Sequence, residues 1–443
     1  MSDMKALAHL MKELEDQLVV CMRCGMCQSV CPLYDQTGRE ADVARGKLAL
    51  LDGLMHEMFK DPEGVYERLN KCLLCGSCAA NCPSGVNVLE IFMKARAILT
   101  GYMDLPPAKK LVLRGMLAHP ELFDRMAEWG ARFQKVFTRP VNDVVGTSCA
   151  RVISPLLGRR HFKNLAETPF HKMVPVLKTR PGKSGVRAAF YVGCLIDKIF
   201  PHIAQAVVDV LTYHEVGIVL PENQACCGIP AVSSGDMKTF RSLLEHNLNS
   251  FNPGEFDYLV TACATCTSTF KEVWPAMAEA AGNGDMGLLR RVERIAEKTM
   301  DINAFMVNII GLAPPVRGVG GDTENPPEVI TYHDPCHLKK ALGVSVEPRA
   351  MIKANPRYQL KEMASSDWCC GMGGSFNLQY YGISSTIGRQ KRDNIVATGC
   401  SSVATGCPAC MLQIADALSR SGDRVAVRHP VEIYAEQLKR HEN

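Results

Sequence analysis

The sequence predicts an α+β multidomain chain, an all-helical N-terminal unit followed by a duplicated α/β pair. Three observations predict it. Two four-cysteine motifs in the first 100 residues are separated by helix formers with apolar side chains at helical spacing. From about residue 187 strand-like and helix-like segments alternate, the texture of an α/β unit. That alternating segment then repeats with its cysteines at nearly matched intervals, which a duplication explains economically.

A length of 443 residues implies about three domains, and 47% apolar against 22% charged residues is ordinary globular material. Such a chain buries its core without covalent staples, so twenty cysteines exceed any structural need. Met1 to Val20 carries Asp3, Glu13, Glu15 and Asp16 and does not read as a signal peptide. No stretch reaches the roughly 18 continuous apolar residues of a membrane span. The expected location is therefore cytoplasmic, where thiols stay reduced and dense cysteine means metal. The net charge of +4 is uneven: sixteen Lys/Arg face five Asp/Glu between Lys109 and Arg187. That excess fits a partner protein or the anionic cytoplasmic face of the inner membrane, as well as a plain solvated helix face. Nothing points to nucleic acid.

In chain order, residues 1–101 form the helical unit. Met4, Leu7, Leu10, Met11 and Leu14 make an amphipathic stripe over 4–18, and Val43, Leu48, Leu51, Leu54, Met55 and Met58 mark helix within 40–70. A further helix is expected over about 87–100, after Cys82-Pro83. Cys21, Cys24 and Cys27 precede Cys31-Pro32; Cys72, Cys75 and Cys78 precede Cys82-Pro83. Three thiolates at this spacing wrap one face of a cube, and in two-cluster proteins the cysteine before proline ligates the other cluster. Cys21, Cys24, Cys27 and Cys82 are thus assigned to one cubane [4Fe–4S] cluster, and Cys72, Cys75, Cys78 and Cys31 to a second. Gly25 and Gly76 keep backbone amides near the sulfides. Zinc knuckles are the competing reading, and the doubled four-cysteine order disfavours it. Motifs some forty residues apart with helix between them resemble the helical ferredoxin module of respiratory complexes. Residues 102–186, broken by Pro106-Pro107, Pro120, Pro140, Pro155, Pro169, Pro175 and Pro181-Gly182, read as a basic connector of short helices and turns.

The repeats occupy 187–312 and 328–443, joined by a Gly/Pro-rich linker at Gly311 to Pro327. The first offers Cys194, Cys226, Cys227, Cys263 and Cys266; the second offers Cys336, Cys369, Cys370, Cys407 and Cys410. The gaps are 31 then 35 residues in the first copy, and 32 then 36 in the second. Adjacent cysteines make a strained disulfide, but both can face a metal where Gly228 and Gly371 let the backbone turn. Five soft thiolates per copy suit iron–sulfur or zinc. Cys149 and Cys400 are left over and read as small buried hydrophobes. His333 and His337 flank Cys336 in supporting positions, and Asp334 reads as a cap or turn residue. Gly318 to Gly321 lacks the strand and helix of a nucleotide loop. With no flavin or nicotinamide site of its own, the chain needs a flavin-bearing partner to split electron pairs.

The repeated pattern resembles the CCG domain of heterodisulfide reductases. The order of two ferredoxin motifs and two CCG domains, with CMRCGMCQSVCPLY, HDPCHL and CCGMGGSFN, is similar to two relatives. One is the iron–sulfur subunit of glycolate oxidase and lactate dehydrogenases, the other the heterodisulfide reductase subunit with the same order of motifs. The first resemblance implies an electron-transfer subunit with no catalytic residue of its own. It would relay electrons from an FAD-containing 2-hydroxyacid dehydrogenase subunit to quinone or another acceptor, with further redox subunits and a peripheral membrane contact as additional partners. The alternative is a catalytic subunit that reduces a disulfide on a CCG-bound cluster, and a third reading is an electron wire with no substrate contact. Glycolate oxidase-type subunits often lack CCG cysteines, whereas this chain keeps all ten. The heterodisulfide reductase pattern then implies one or two further [4Fe–4S] clusters, of non-cubane type, beyond the two cubanes; a scaffold role for the first copy is the competing expectation.

Overall fold

A computed structural model of the chain describes residues 4–58, 60–151, 160–282, 285–313 and 326–439. The glycine run at 318–321 lies outside them.

The N-terminal unit is helical. Met4–Met11 continues through a short tight turn to Leu18, burying Leu7, Met11 and Leu14 against Leu48, Leu51 and Leu54. The helix expected within 40–70 is two helices, Ala44–Met55 and Pro62–Asn70. Asp61 explains the break: its side chain accepts from Gly64 N at 2.8 Å, capping the second helix, whose first residue is Pro62. Met58 falls in the gap and is exposed. A helix over Val88–Met103 closes the unit.

The connector departs from the expectation of helices and turns alone. After an 18-residue helix, Pro120–Phe137, strands β1 (Thr138–Asn142) and β2 (Thr147–Ala150) form an antiparallel ribbon. Pro140 is tolerated there because a two-stranded ribbon leaves an unpaired edge. A short β3 (Leu177–Lys178) then joins the first repeat's sheet antiparallel at its edge. Connector side chains strap both repeats: Lys198 pairs with Asp124 at 2.7 Å, and Asn142 donates to Asp423 O at 2.8 Å.

The first repeat contributes β4 (Arg187–Tyr191), β5 (Gly217–Leu220), β6 (Tyr258–Thr261) and β7 (Thr299–Asp301), in sheet order β3-β5-β4-β6-β7. The second contributes β8 (Glu328–Tyr332), β9 (Tyr358–Leu360), β10 (Ser402–Ala404) and β11 (Ala426–Arg428), in order β11-β10-β8-β9. Each repeat's own strands therefore run in the same parallel order: second, first, third, fourth. Sheets covered on both faces read as continuous apolar runs, as Ala188–Tyr191 does. The copies also meet through helices Pro201–Tyr213 and Pro430–Leu438, where His214 and Tyr434 hydrogen-bond at 2.9 Å.

The N-terminal unit is anchored to both. Buried Arg96 donates to Cys72 O at 3.1 Å and to Leu69 O on its own side, and to Ser233 O of the first repeat at 2.6 Å. On the second repeat, Gly373 (φ 52°) sits so close to the Leu73 loop that an added Cβ would lie 2.8 Å from Leu73 Cδ2. Gly373→Ala is therefore expected to cost about 1–3 kcal/mol, from left-handed strain and the clash. Gly382→Ala, in a helix with nothing within 4 Å of the added carbon, should leave stability unchanged or raised. Melting temperatures of the two variants check this.

Candidate metal centre

The cysteine loops of the N-terminal unit share one backbone shape. Arg23 and Leu74, at equivalent positions, are left-handed at φ 57° and 50°, and so are Gly25 and Gly76 two residues later. Alternating handedness turns successive amides inward, a concavity suited to anions. Two small pockets result. One is lined by Cys21, Cys24, Cys27 and Cys82, the other by Cys31, Cys72, Cys75 and Cys78. The cysteine before each proline thus lies with the other motif's three. Cys78 also borders the first pocket, so the two adjoin. Cys24 is exposed, with Val19, Val20, Met22 and Met26 exposed around it.

In the repeats the cysteines sit beyond the carboxyl ends of the parallel strands, where open α/β sheets place their ligands. Gly228 (φ 92°) and Gly371 (φ 94°) turn the paired cysteines; an added Cβ would lie 2.8 Å from Phe240 in one and 2.7 Å from Ser384 O in the other. Thiol contacts then run unbroken. Cys194 meets Cys226, which meets Cys227, then Cys266 and Cys263. Cys263 meets Cys407 across the copies, and the run continues through Cys410, Cys370, Cys369 and Cys336. It ends on Cys75 of the second N-terminal pocket, which contacts both Cys336 and Cys369.

Comparison with known proteins gives this arrangement its family. Residues 17–86 match the 4Fe-4S dicluster domain, and 188–271 and 330–415 each match the cysteine-rich CCG domain. The chain is a dicluster iron–sulfur protein with two cysteine-rich domains. The probable glycolate oxidase iron-sulfur subunit of Bacillus subtilis (strain 168) is 29% identical over 436 residues, covering 95% of this chain and 94% of that protein. A fumarate reductase (CoM/CoB) subunit of Methanothermobacter marburgensis is 26% identical over 91% of this chain and 68% of its own length. Lactate utilization protein A 2 of Bacillus mycoides is 28% identical over 56% of this chain and 98% of its own length.

The electrostatics fit anionic clusters in the dicluster and cysteine-rich domains. Burial pushes the Cys31 thiol up to about 11 and the Cys78 thiol well above its usual range, so thiolates there need compensation. Buried lysines supply it. Lys47 lines the second pocket, and Lys391, 1% exposed, lies by Cys336, Cys370 and Cys369 with only the Ser365 and Ser366 carbonyls as hydrogen-bond partners. Burial pulls Lys391 down to about 8 even though charge on Cys336, Cys370 and Cys369 opposes it. Burial also opposes the Lys340 ammonium, but charge on Cys336, Cys75 and Cys369 outweighs it and holds the pKa above its ordinary value; Lys340 donates to Ser77 at 2.6 Å. Cations drawn from water with no carboxylate among the described residues at ion-pair distance, set among soft donors, fit a bound anionic group.

The remaining candidates divide. His337 bridges Thr265 Oγ1 at 3.2 Å and Leu74 O at 3.1 Å, a supporting role between units. Asp334 does not cap: it is buried in a bidentate pair with Arg349 at 2.8 and 2.9 Å, fixing the segment before Cys336. Cys400 is buried as expected, whereas Cys149 is only half-buried on β2, its sulfur accepting from Arg139 Nε at 3.4 Å. Sequence reasoning missed a cleft of about 640 Å³ opening on Cys194 and Cys226, lined also by Phe123, Phe170, His171, Lys198 and His246. It is built from the connector and the first repeat together, so no local signal marks it.

The pocket partition predicts distinct losses. Cys82→Ser should remove the cluster shared with Cys21, Cys24 and Cys27, and Cys31→Ser its neighbour, each lowering iron by about four per chain. Iron analysis with cluster electron paramagnetic resonance (EPR) checks both.

Proposed function

We propose that this chain is the electron-transfer subunit of a flavin-dependent 2-hydroxyacid dehydrogenase, in which an FAD-containing partner oxidises lactate or glycolate and quinone is the acceptor. The observation that carries the reading is a run of thiol contacts from Cys194 in the open cleft to Cys75 of the second cysteine pocket, which adjoins the pocket lined by exposed Cys24 with its apolar surround. Cys21, Cys24, Cys27 and Cys82 hold one cubane, Cys72, Cys75, Cys78 and Cys31 a second, and the ten cysteines of the repeats hold one or two further [4Fe–4S] clusters. When bound, these clusters supply one-electron transfer, which converts the pair taken up by flavin into single steps. The working units are 1–101, 102–186, 187–312 and 328–443.

The protein's own residues serve the two ends differently. Around Cys24, exposed Val19, Val20, Met22 and Met26 offer an apolar face for the flavoprotein. At the cleft, helix Pro120–Phe137 turns Asp124 and Glu128 inward to Lys198 and Lys172 and leaves Leu122, Met126, Trp129, Phe133, Val136 and Phe137 exposed, Trp129 at 67%. An aromatic-rich stripe on a basic connector suits the surface of an anionic membrane, which would bring the cleft to quinone. No helix among the described residues is long and apolar enough to cross a membrane. The similarity to the glycolate oxidase iron-sulfur subunit over nearly the whole chain supports the substrate class.

A second reading, direct reduction of a disulfide, is favoured by one observation: the cleft leaves Cys194 and Cys226 approachable. Anaerobic purification with native partners separates the two. The dehydrogenase reading expects a co-purifying flavoprotein and lactate- or glycolate-dependent quinone reduction; robust disulfide reduction without flavoprotein would replace it. For the membrane contact, the double variant Trp129→Glu, Phe133→Glu should weaken flotation with anionic vesicles at least about tenfold, since burying each aromatic contributes about 1.5–3 kcal/mol. Unchanged flotation would remove the lipid surface from the proposal.

A further inference from the structure

The two repeats are not equivalent at the residue three places before their first cysteine. In the second repeat that residue is His333; in the first it is Tyr191. Tyr191 ends β4 and His333 directly follows the equivalent strand β8, and both are fully buried. Tyr191 lies beside Cys227 and Cys266, and its hydroxyl donates to Ala225 O at 2.7 Å, so it is satisfied by backbone. His333 lies beside the equivalent pair, Cys370 and Cys410, and a ring nitrogen and the two sulfurs are within 4.8 Å of one another.

The second ring nitrogen explains the first. Nδ1 is 3.0 Å from Ser366 O, so Nδ1–H donates there and Nε2 keeps its lone pair. Nε2 has no hydrogen-bond partner although the side chain is 0% exposed. A buried acceptor left without a partner is costly, so this nitrogen is placed for a ligand to fill. A histidine held through one nitrogen by a backbone carbonyl, with the other aimed at soft donors, is the arrangement by which proteins present imidazole to a metal.

We infer that His333 Nε2 is a nitrogen ligand to the iron of the second repeat's centre, beside Cys370 and Cys410. The inference rests on the proposed cluster in that repeat. It makes the two cysteine-rich domains chemically distinct: the second has five thiolates and an imidazole, the first thiolates alone. An imidazole at this position leaves the centre less negative than a further thiolate there would, so His333 holds the second repeat's potential above that of the same site with cysteine at 333.

The test is pulsed EPR on the whole chain, anaerobically loaded and poised oxidised and reduced, with natural or ¹⁵N-labelled histidine. The second repeat's signal is the one lost in Cys369→Ala. That signal should carry a directly bound nitrogen coupling that changes on ¹⁵N-histidine labelling. His333→Cys, which keeps a donor at the site, should retain the cluster, lose the coupling and shift the midpoint potential downward. A Cys369-dependent signal with no histidine coupling overturns the ligand while leaving the cluster standing. Absence of any Cys369-dependent signal in either state overturns the cluster and the ligand together.

Discussion

The constraint on which everything else depends is the burial of sulfur. Ten of the eleven thiols in the run from Cys194 to Cys75 come from two sheets whose strands end at a common centre, and nine of the eleven are buried. Removing a thiolate from water raises its energy unless neighbouring donors or cations offset the loss. Here thiols lean on one another, and Lys340 and Lys391 come in from the second repeat. Anionic sulfur facing them, with Asp367 beside it, offsets the cost of drawing those cations out of water. The seating of the Gly371–Gly374 turn against the Leu73 loop arises from the same need: a side chain at Gly373 would hold the loop off and part Cys75 from Cys336 and Cys369.

Much of this was legible in the residues. The cysteine–proline pairs predicted which motif lends its fourth thiol to which pocket, because that rule is local chemistry carried by spacing. The duplication was legible from the intervals between cysteines, and the two sheets repeat the same strand order. The features that could not be read depend on contacts distant in sequence. Nothing near Cys75 announces Cys336, some 260 residues on, and nothing in the connector announces that its helix walls a cleft against the first repeat. The ribbon β1–β2 was hidden by proline punctuation, which marks where helices stop but not which element comes next. Asp334 looked like a turn residue because its partner, Arg349, enters only through folding.

Duplication supplies two similar scaffolds, and the differences between them carry the information about direction. The first repeat faces the cleft, so its outermost cysteines meet solvent and any ligand that enters there. The second is enclosed between the first repeat and the dicluster domain, touching Cys263 on one side and Cys75 on the other. Its five cysteines are all buried, so on the proposed reading its useful property is the potential of the centre it holds. At the matched, buried position beside the cysteines the donor differs, His333 in place of Tyr191, and it sits in the enclosed copy. On the proposed function, chemical access falls to one repeat and electronic adjustment to the other, which is the division expected of a relay whose end must meet a molecule and whose middle must only pass electrons on.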